Sequence, residues 1–336
     1  MPQLNFDNNN QMGVQPEVMP VDTQTDTLPV GTQADVPTVS TVVTHNDNDI
    51  PEAALWIEEG EEKAVAGLTA DELNDPNLIQ VHISDPNAPL LVLFGPPACG
   101  KTMTLVRLAR YLKQNGYTIA PVRTFRPNYD SNYKRLCNDF DTMINRPDAA
   151  ASTSNISFML VEVMRNGRRL CQILEAPGEF YFNPKEPNAP FPTYVNAIIN
   201  SNNRKIWAFM LEPDWMNATE RQQYVDRIHK LKLRLRARDK IMFVLNKIDR
   251  TNFMRGQGKV NVAAAYKQVT YDYPGLFTPF RNPVPVYNLI RPDLFDFVPF
   301  QTGDYAVASD GTQMFQEGPD EFPRQLWKVL LNRIRG

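Results

Sequence analysis

Leu90-Leu-Val-Leu-Phe94 runs straight into Gly95-Pro-Pro-Ala-Cys-Gly100-Lys101-Thr102, and this stretch decides the fold. Five consecutive apolar residues that end at a glycine read as a short strand buried on both faces. Gly95 to Thr102 fits the spacing GxxxxGK[ST]. Beyond it, Leu105, Leu108, Ala109 and Leu112 recur at helical spacing, which predicts a helix from Thr102 to Asn115 with Gly116 past its end. A glycine-rich turn between strand and helix lets backbone N–H groups curl around phosphate oxygens at the helix N-terminus. The expected phosphate contacts are Gly95, Ala98, Cys99, Gly100, Lys101 and Thr102. Lys101 would reach the outer phosphates, and the Thr102 hydroxyl would go to Mg2+. Pro96 and Pro97 have no N–H to give, so backbone donors begin at Ala98.

Working outward, strands and helices alternate as in an α/β fold. Tyr117 to Val122 reads as a strand, and Tyr133 to Ile144 as a helix. Ile156 to Val163 and Arg169 to Leu174 flank Asn166-Gly167, the strongest short hairpin signal. Ile206 to Leu211 and Ile241 to Leu245 are apolar runs typical of buried strands. A basic amphipathic helix is expected over 221–240, then a helix over Val260 to Gln268, a last strand over Phe297 to Gln301 and a closing helix from Glu321 to Ile334. The expected architecture is three-layered: a mostly parallel sheet flanked by helices, with an insertion after the first helix.

Asn246-Lys247-Ile248-Asp249 stands at the end of the apolar run Ile241 to Leu245. An aspartate there can accept two hydrogen bonds from the N1–H and exocyclic amine of guanine, a pair that adenine does not present. The tetrad resembles the NKxD element of Ras-like and translation-factor GTPases. Between it and the phosphate loop, Glu175-Ala-Pro-Gly178 looks like the DxxG element, with glutamate where aspartate usually stands. Together these elements, in family order over most of residues 89–336, resemble a Ras-like P-loop GTPase domain. More loosely, GPPACGKT with LEAPGE is similar to bacterial GTPases of conflict or signalling gene neighbourhoods.

The resemblance implies roles for further residues. Lys247 would lie along the base, and Asn246 would tie its loop to the phosphate loop. Glu175 would hold Mg2+, and the Gly178 N–H would sense the γ-phosphate. Family spacing from Glu175 points back to Thr153 as the Mg2+-binding residue of the first switch. Glu179, where the family often has a water-orienting glutamine, would repel the γ-phosphate as well as act as a base. Slow hydrolysis of GTP to GDP and dependence on a protein activator or effector are therefore expected, with Lys101, Thr153 and Glu179 as the catalytic set. Arg123 and Arg146, in the insertion, read as surface arginines, with an internal finger as the alternative. Thr302-Gly303 is the candidate for the final base loop. GPPACGKT also looks like the loop of AAA-type ATPases and nucleotide kinases, so an ATPase or kinase is one alternative. Glu175 and Glu179 favour another, a nucleotide-dependent interaction module that does not hydrolyse.

Charge divides the 336-residue chain. Residues 1–85 carry a net −15 and residues 86–336 a net +12. Residues 1–50 are polar and acidic, too poor in apolar side chains to offset the entropy of ordering, and read as a disordered tail. Residues 51–88 read as an extension that packs on a domain of residues 89–336. Three cysteines without CxxC spacing argue against a disulfide framework and fit a reducing compartment. The three histidines have no metal-ligand spacing, so no metal besides Mg2+ is expected. No secretory signal or membrane span is visible, which gives a cytoplasmic expectation. The basic run 221–240 allows contact with anionic lipid, but a solvated helix face is the preferred reading, and nucleic acid is disfavoured as a partner.

Overall fold

The computed structural model describes residues 67–83, 85–145, 158–283, 293–307 and 313–335. The proposed tail, Arg146 and Thr153 lie outside the described residues. Among those residues, no helix is long and apolar enough to cross a membrane.

The chain enters through α1 (Ala70–Asn74), which Thr69 and Glu72 close with a capping box. β1 (Leu90–Phe94) follows, then α2 (Lys101–Gln114). Gly116 terminates α2 in a left-handed conformation at φ 78°, while Tyr117 N–H donates to Leu112 O at 3.1 Å and Gly116 N–H to Lys113 O at 3.3 Å. That pair of bonds is a Schellman stop, which is what the glycine predicted. The insertion supplies β2 (Thr118–Pro121) and α3 (Ser131–Asn145). β3 (Met159–Arg165) and β4 (Arg168–Glu175) form the hairpin signalled by Asn166-Gly167, with φ of 51° and 71° at its tip. Then come α4 (Gly178–Tyr181), α5 (Thr193–Asn200), β5 (Lys205–Leu211), α6 (Ala218–Lys232), β6 (Lys240–Leu245) and α7 (Val262–Asp272). β7 (Phe295–Pro299), β8 (Gly303–Val307), β9 (Gln313–Glu317) and α8 (Glu321–Arg335) complete the order.

Seven strands make one sheet in the order β2-β3-β4-β1-β5-β6-β7. β4, β1, β5, β6 and β7 run parallel, while β3 is antiparallel to both neighbours. Every residue of β1 and β5 is buried, as a central strand covered on both faces requires. The register aligns Phe94 with Phe209, Phe209 with Phe243 and Phe243 with Phe297, so one face is aromatic. Phe94 meets Tyr181, Phe191 and Tyr224 there, and Phe243 meets Phe277 and Phe280. α2 packs against α3, α8 and β4, and α8 against β7. The result is the α/β, three-layer P-loop architecture expected from the sequence.

Two expectations change. The basic helix over 221–240 ends at Lys232, and Lys240 already belongs to β6. Phe295–Pro299 is not the last strand, because the β8–β9 hairpin follows it. Residues 67–83 also contribute to the core: Leu68 and Ile79 are buried in it, and Glu72 pairs with the buried Arg126 at 2.5 Å.

Candidate nucleotide site

In the parallel part of the sheet the strands all point the same way, so β1, β4, β6 and β7 deliver their following loops to one edge. These are the Gly95–Thr102 loop, the Glu175–Gly178 segment, the Asn246–Asp249 tetrad and Thr302–Gly303. Ligands of open parallel sheets bind at that carboxyl edge.

The phosphate loop is shaped by close contact. A Cβ on Gly95 would lie 2.6 Å from Cys99 Sγ and 2.9 Å from Met210 Cβ, so only glycine lets the chain leave β1 here. Ala98 at φ 59° and Gly100 at φ 85° turn the loop back toward α2. No side chain caps the α2 N-terminus, which leaves its first N–H groups facing the loop. Lys101 is buried, and its ammonium donates to Gly95 O at 3.2 Å and Pro96 O at 2.8 Å. The Cys99 side chain is buried too. Burial pushes its thiol up to about 11, against the pull of Lys101, so it stays protonated at neutral pH.

Glu175 lies beneath this loop with 1% exposure. Thr102 Oγ1 donates to its Oε1 at 3.0 Å, so the extra methylene does not keep the carboxylate from the helix start. Burial pushes the Glu175 carboxyl up to about 8, opposed by Lys101 and the Thr102 hydrogen bond and aided by Glu179. Its second oxygen, Oε2, is buried without a partner. A hydroxyl beside a carboxyl with one unspent oxygen is a donor set that, with the carboxyl ionised, suits a hard dication such as Mg2+. Gly178 is pressed on the phosphate loop: a Cβ there would sit 2.2 Å from Pro97 N and 2.6 Å from Pro96 O. Glu179, the next residue, is exposed. It lines a cavity of about 380 Å³ with Leu73, Pro177, Phe180 and Arg227.

Asn246 is buried at the end of β6, and its Nδ2 donates to Cys99 O at 3.0 Å, so the tetrad and the phosphate loop are joined directly. A Cβ on Gly100 would collide with that same Nδ2 at 2.1 Å. Lys247 adopts φ 55°, and its ammonium pairs with Glu212. Asp249 is exposed in the short 3-10 turn Ile248–Arg250. Ile248 N–H donates to Phe300 O at 3.2 Å, which fixes this turn beside the chain leaving β7. Thr302 O accepts from Gly318 N–H at 3.3 Å, and Gly303 opens β8. The structure therefore brings Lys101, Thr102, Glu175 and Gly178 together, joins them to Asn246, and holds Lys247, Asp249, Thr302 and Gly303 on the adjoining turns. Thr153 lies outside the described residues.

No protein-family model matches this chain. No curated protein matches it either. Among solved structures it is similar to a nucleolar GTP-binding protein 1 from Plasmodium falciparum, at 13% identity and a TM-score of 0.38 over 76% of this chain and 90% of that one. It is also similar to a variant of SsGBP, at 12% identity and a TM-score of 0.29 over 74% of this chain, and spans only 55% of that protein's length. Likenesses this distant decide neither ligand nor activity, which rest on the site itself.

Two features had no signature in the sequence. Glu212, the partner of Lys247, is an acid after an apolar strand and belongs to no motif. The basic residues after Asn217 serve chiefly as staples. Arg227 donates to Tyr181 O at 2.9 Å and Ala189 O at 2.6 Å and lies 3.7 Å from the centroid of the Phe191 ring. Arg236 donates to Asn200 O and Ser201 O, and Arg238 to Asn202 O. Part of the basic run 221–240 is therefore taken up by contacts within the fold. Arg123 likewise bonds Asn138 and Asp141 on α3.

Proposed function

We propose that the chain binds a guanine nucleotide with Mg2+ at this edge and hydrolyses GTP to GDP slowly, as a switch. The observation that carries the reading is the Asn246–Cys99 hydrogen bond. It ties a guanine-type tetrad to a phosphate loop across two neighbouring segments, as one ligand spanning base and phosphates requires. N–H groups from Ala98 to Thr102 would hold the phosphates, and the Lys101 ammonium would neutralise them. Thr102 and Glu175 would hold Mg2+, with Thr153 as the proposed third residue; the ion would offset charge on the phosphate oxygens. Asp249 would accept the two guanine donors, Lys247 would lie along the ring, and Thr302-Gly303 would close its edge.

Gly178, wedged on the phosphate loop, would register the γ-phosphate, and its neighbour Glu179 would pass that state to the surface. Glu179 carries charge where the reaction builds charge, so turnover is proposed to be slow without an activating protein. The same exposed carboxylate favours one second reading, a nucleotide-dependent interaction module without turnover. Phosphate release in single-turnover assays separates the two.

Asp249→Asn tests base recognition. The variant exchanges a double acceptor for an acceptor and a donor. GTP affinity is expected to fall at least about a hundredfold, with xanthosine nucleotide binding gained. Undiminished GTP affinity would sink the guanine assignment.

A further inference from the structure

We infer that Glu212 is a positioning residue of the base pocket, holding Lys247 in the conformation in which its stem receives the guanine ring. This rests on the guanine reading proposed above and adds to it a residue that the motifs do not contain.

Glu212 follows the last residue of β5, between the strand that leads to the phosphate loop and the strand that leads to the tetrad. Its carboxylate pairs with Lys247 Nζ, with side-chain exposures of 14% and 25%. Its main chain is held from both sides by one hydroxyl: Tyr273 Oη donates to Glu212 O at 2.8 Å and accepts from Glu212 N–H at 3.2 Å. Tyr273 is buried at the end of α7, with the Arg221 guanidinium 5.6 Å from its ring centroid. The carboxylate therefore has a fixed base.

The other partner is held as firmly. Asn246 N–H donates to Leu211 O at 2.9 Å, and Lys247 takes the left-handed φ of 55° that few non-glycine residues adopt. The lysine main chain is thus pinned through residues 211 and 246, and its ammonium through residue 212. Lysine has one of the largest rotamer entropies of any side chain. A stem tethered at both ends is ordered before a ligand arrives, and preorganisation of this kind raises affinity without adding a ligand contact. Lys101 is anchored separately, by Gly95 O and Pro96 O, so losing the tether should weaken base binding and leave phosphate binding nearly intact.

The test is calorimetric titration of the full chain with GDP and, separately, with pyrophosphate, both with Mg2+. Glu212→Gln keeps the shape and removes the charge; Glu212→Asp keeps the charge and shortens the reach. The expected result is a loss of GDP affinity of about five- to tenfold in Glu212→Gln, partial recovery in Glu212→Asp, and unchanged pyrophosphate binding in both. A merely structural role would weaken both ligands together, and that result, or an unchanged GDP affinity, would overturn the inference. Wild-type protein that binds pyrophosphate but not GDP would instead overturn the guanine reading, and this inference with it.

Discussion

Gly178 has no room for a side chain. The atoms a Cβ would meet are the backbone of Pro96 and Pro97, at 2.2 to 2.6 Å, and neither proline can swing aside as a flexible side chain would. Gly178→Ala must push the switch segment and the phosphate loop apart. It is expected to cost about 1–3 kcal/mol of stability and to weaken Mg2+-GTP binding at least about tenfold in titration; wild-type affinity would mean that the two loops are not in contact. Asp85 gives a prediction of another kind. Its carboxyl accepts from Arg169 at 2.7 Å and from the Asn87 and Ala88 N–H groups, bracing the turn that leads into β1. The Arg169 hydrogen bond, foremost, holds it below the ordinary aspartate value of 3.8. A depressed acid contributes stability above its unfolded pKa and loses it as pH falls through its folded value. The difference in melting temperature between wild type and Asp85→Asn should therefore be constant above pH 3.8 and shrink below it. A difference that grows on acidification would contradict the assignment. At this scale the motif residues were legible, because phosphate and guanine each demand particular groups at fixed spacing. Glu212 and Tyr273 were not, since their roles arise from contacts between segments 35 and 61 residues apart.

Among the elements, β1 and α2 could be read within a residue and the β3–β4 hairpin within three, because each carries its own stop: Gly95, Gly116 and Asn166-Gly167. The run after Asn217 misled for a physical reason. Leu231, Leu233 and Leu235 continue an apolar pattern past the helix end, but Asp239 accepts from the Arg236 and Lys205 N–H groups and starts a turn into β6. The β8–β9 hairpin was missed although a two-residue turn signal, Asp310-Gly311, stands between its strands, because the reading ended the strands at Gln301. Its placement depends on α2: Arg107, 1% exposed, donates to Gly318 O at 2.7 Å and pairs with Asp320 at 2.6 Å and Glu317 at 2.9 Å. Arg110 pairs with the same Glu317 at 3.0 Å. Gly318 in turn binds Thr302, so the helix that follows the Gly95–Thr102 loop also holds the candidate base loop. Arg107→Met takes the donor from Gly318 O and the partner from Asp320, while Arg110 still pairs with Glu317. Because Asp320 is 53% exposed and Glu317 keeps Arg110, the expected loss is mainly that of the Gly318 carbonyl's donor, about 1–3 kcal/mol. It would appear as a lower urea midpoint at unchanged slope. A loss under about 0.5 kcal/mol, the size of a neutral surface change, would show that α2 does not carry the hairpin.

For the whole molecule, one fact organises the site: four of the parallel strands open their loops at one edge, with the strand bearing the phosphate loop near the sheet's centre. Alternation of apolar runs with helical periods made the sheet legible from the sequence, and the motif order made its edge legible. What could not be read was how residues 67–83 join the body, since Leu68, Ile79 and the Glu72–Arg126 pair connect parts of the chain distant in sequence. The central claim is that this edge is built for guanine. Calorimetric titration of the purified chain with GTP, GDP and ATP, each with Mg2+, tests it most directly. The account predicts binding of GTP and GDP at least about a hundredfold tighter than ATP, a gap set by hydrogen bonds to Asp249 that adenine cannot complete. ATP bound as tightly as GTP would contradict it, leaving the phosphate loop and removing the base from the account.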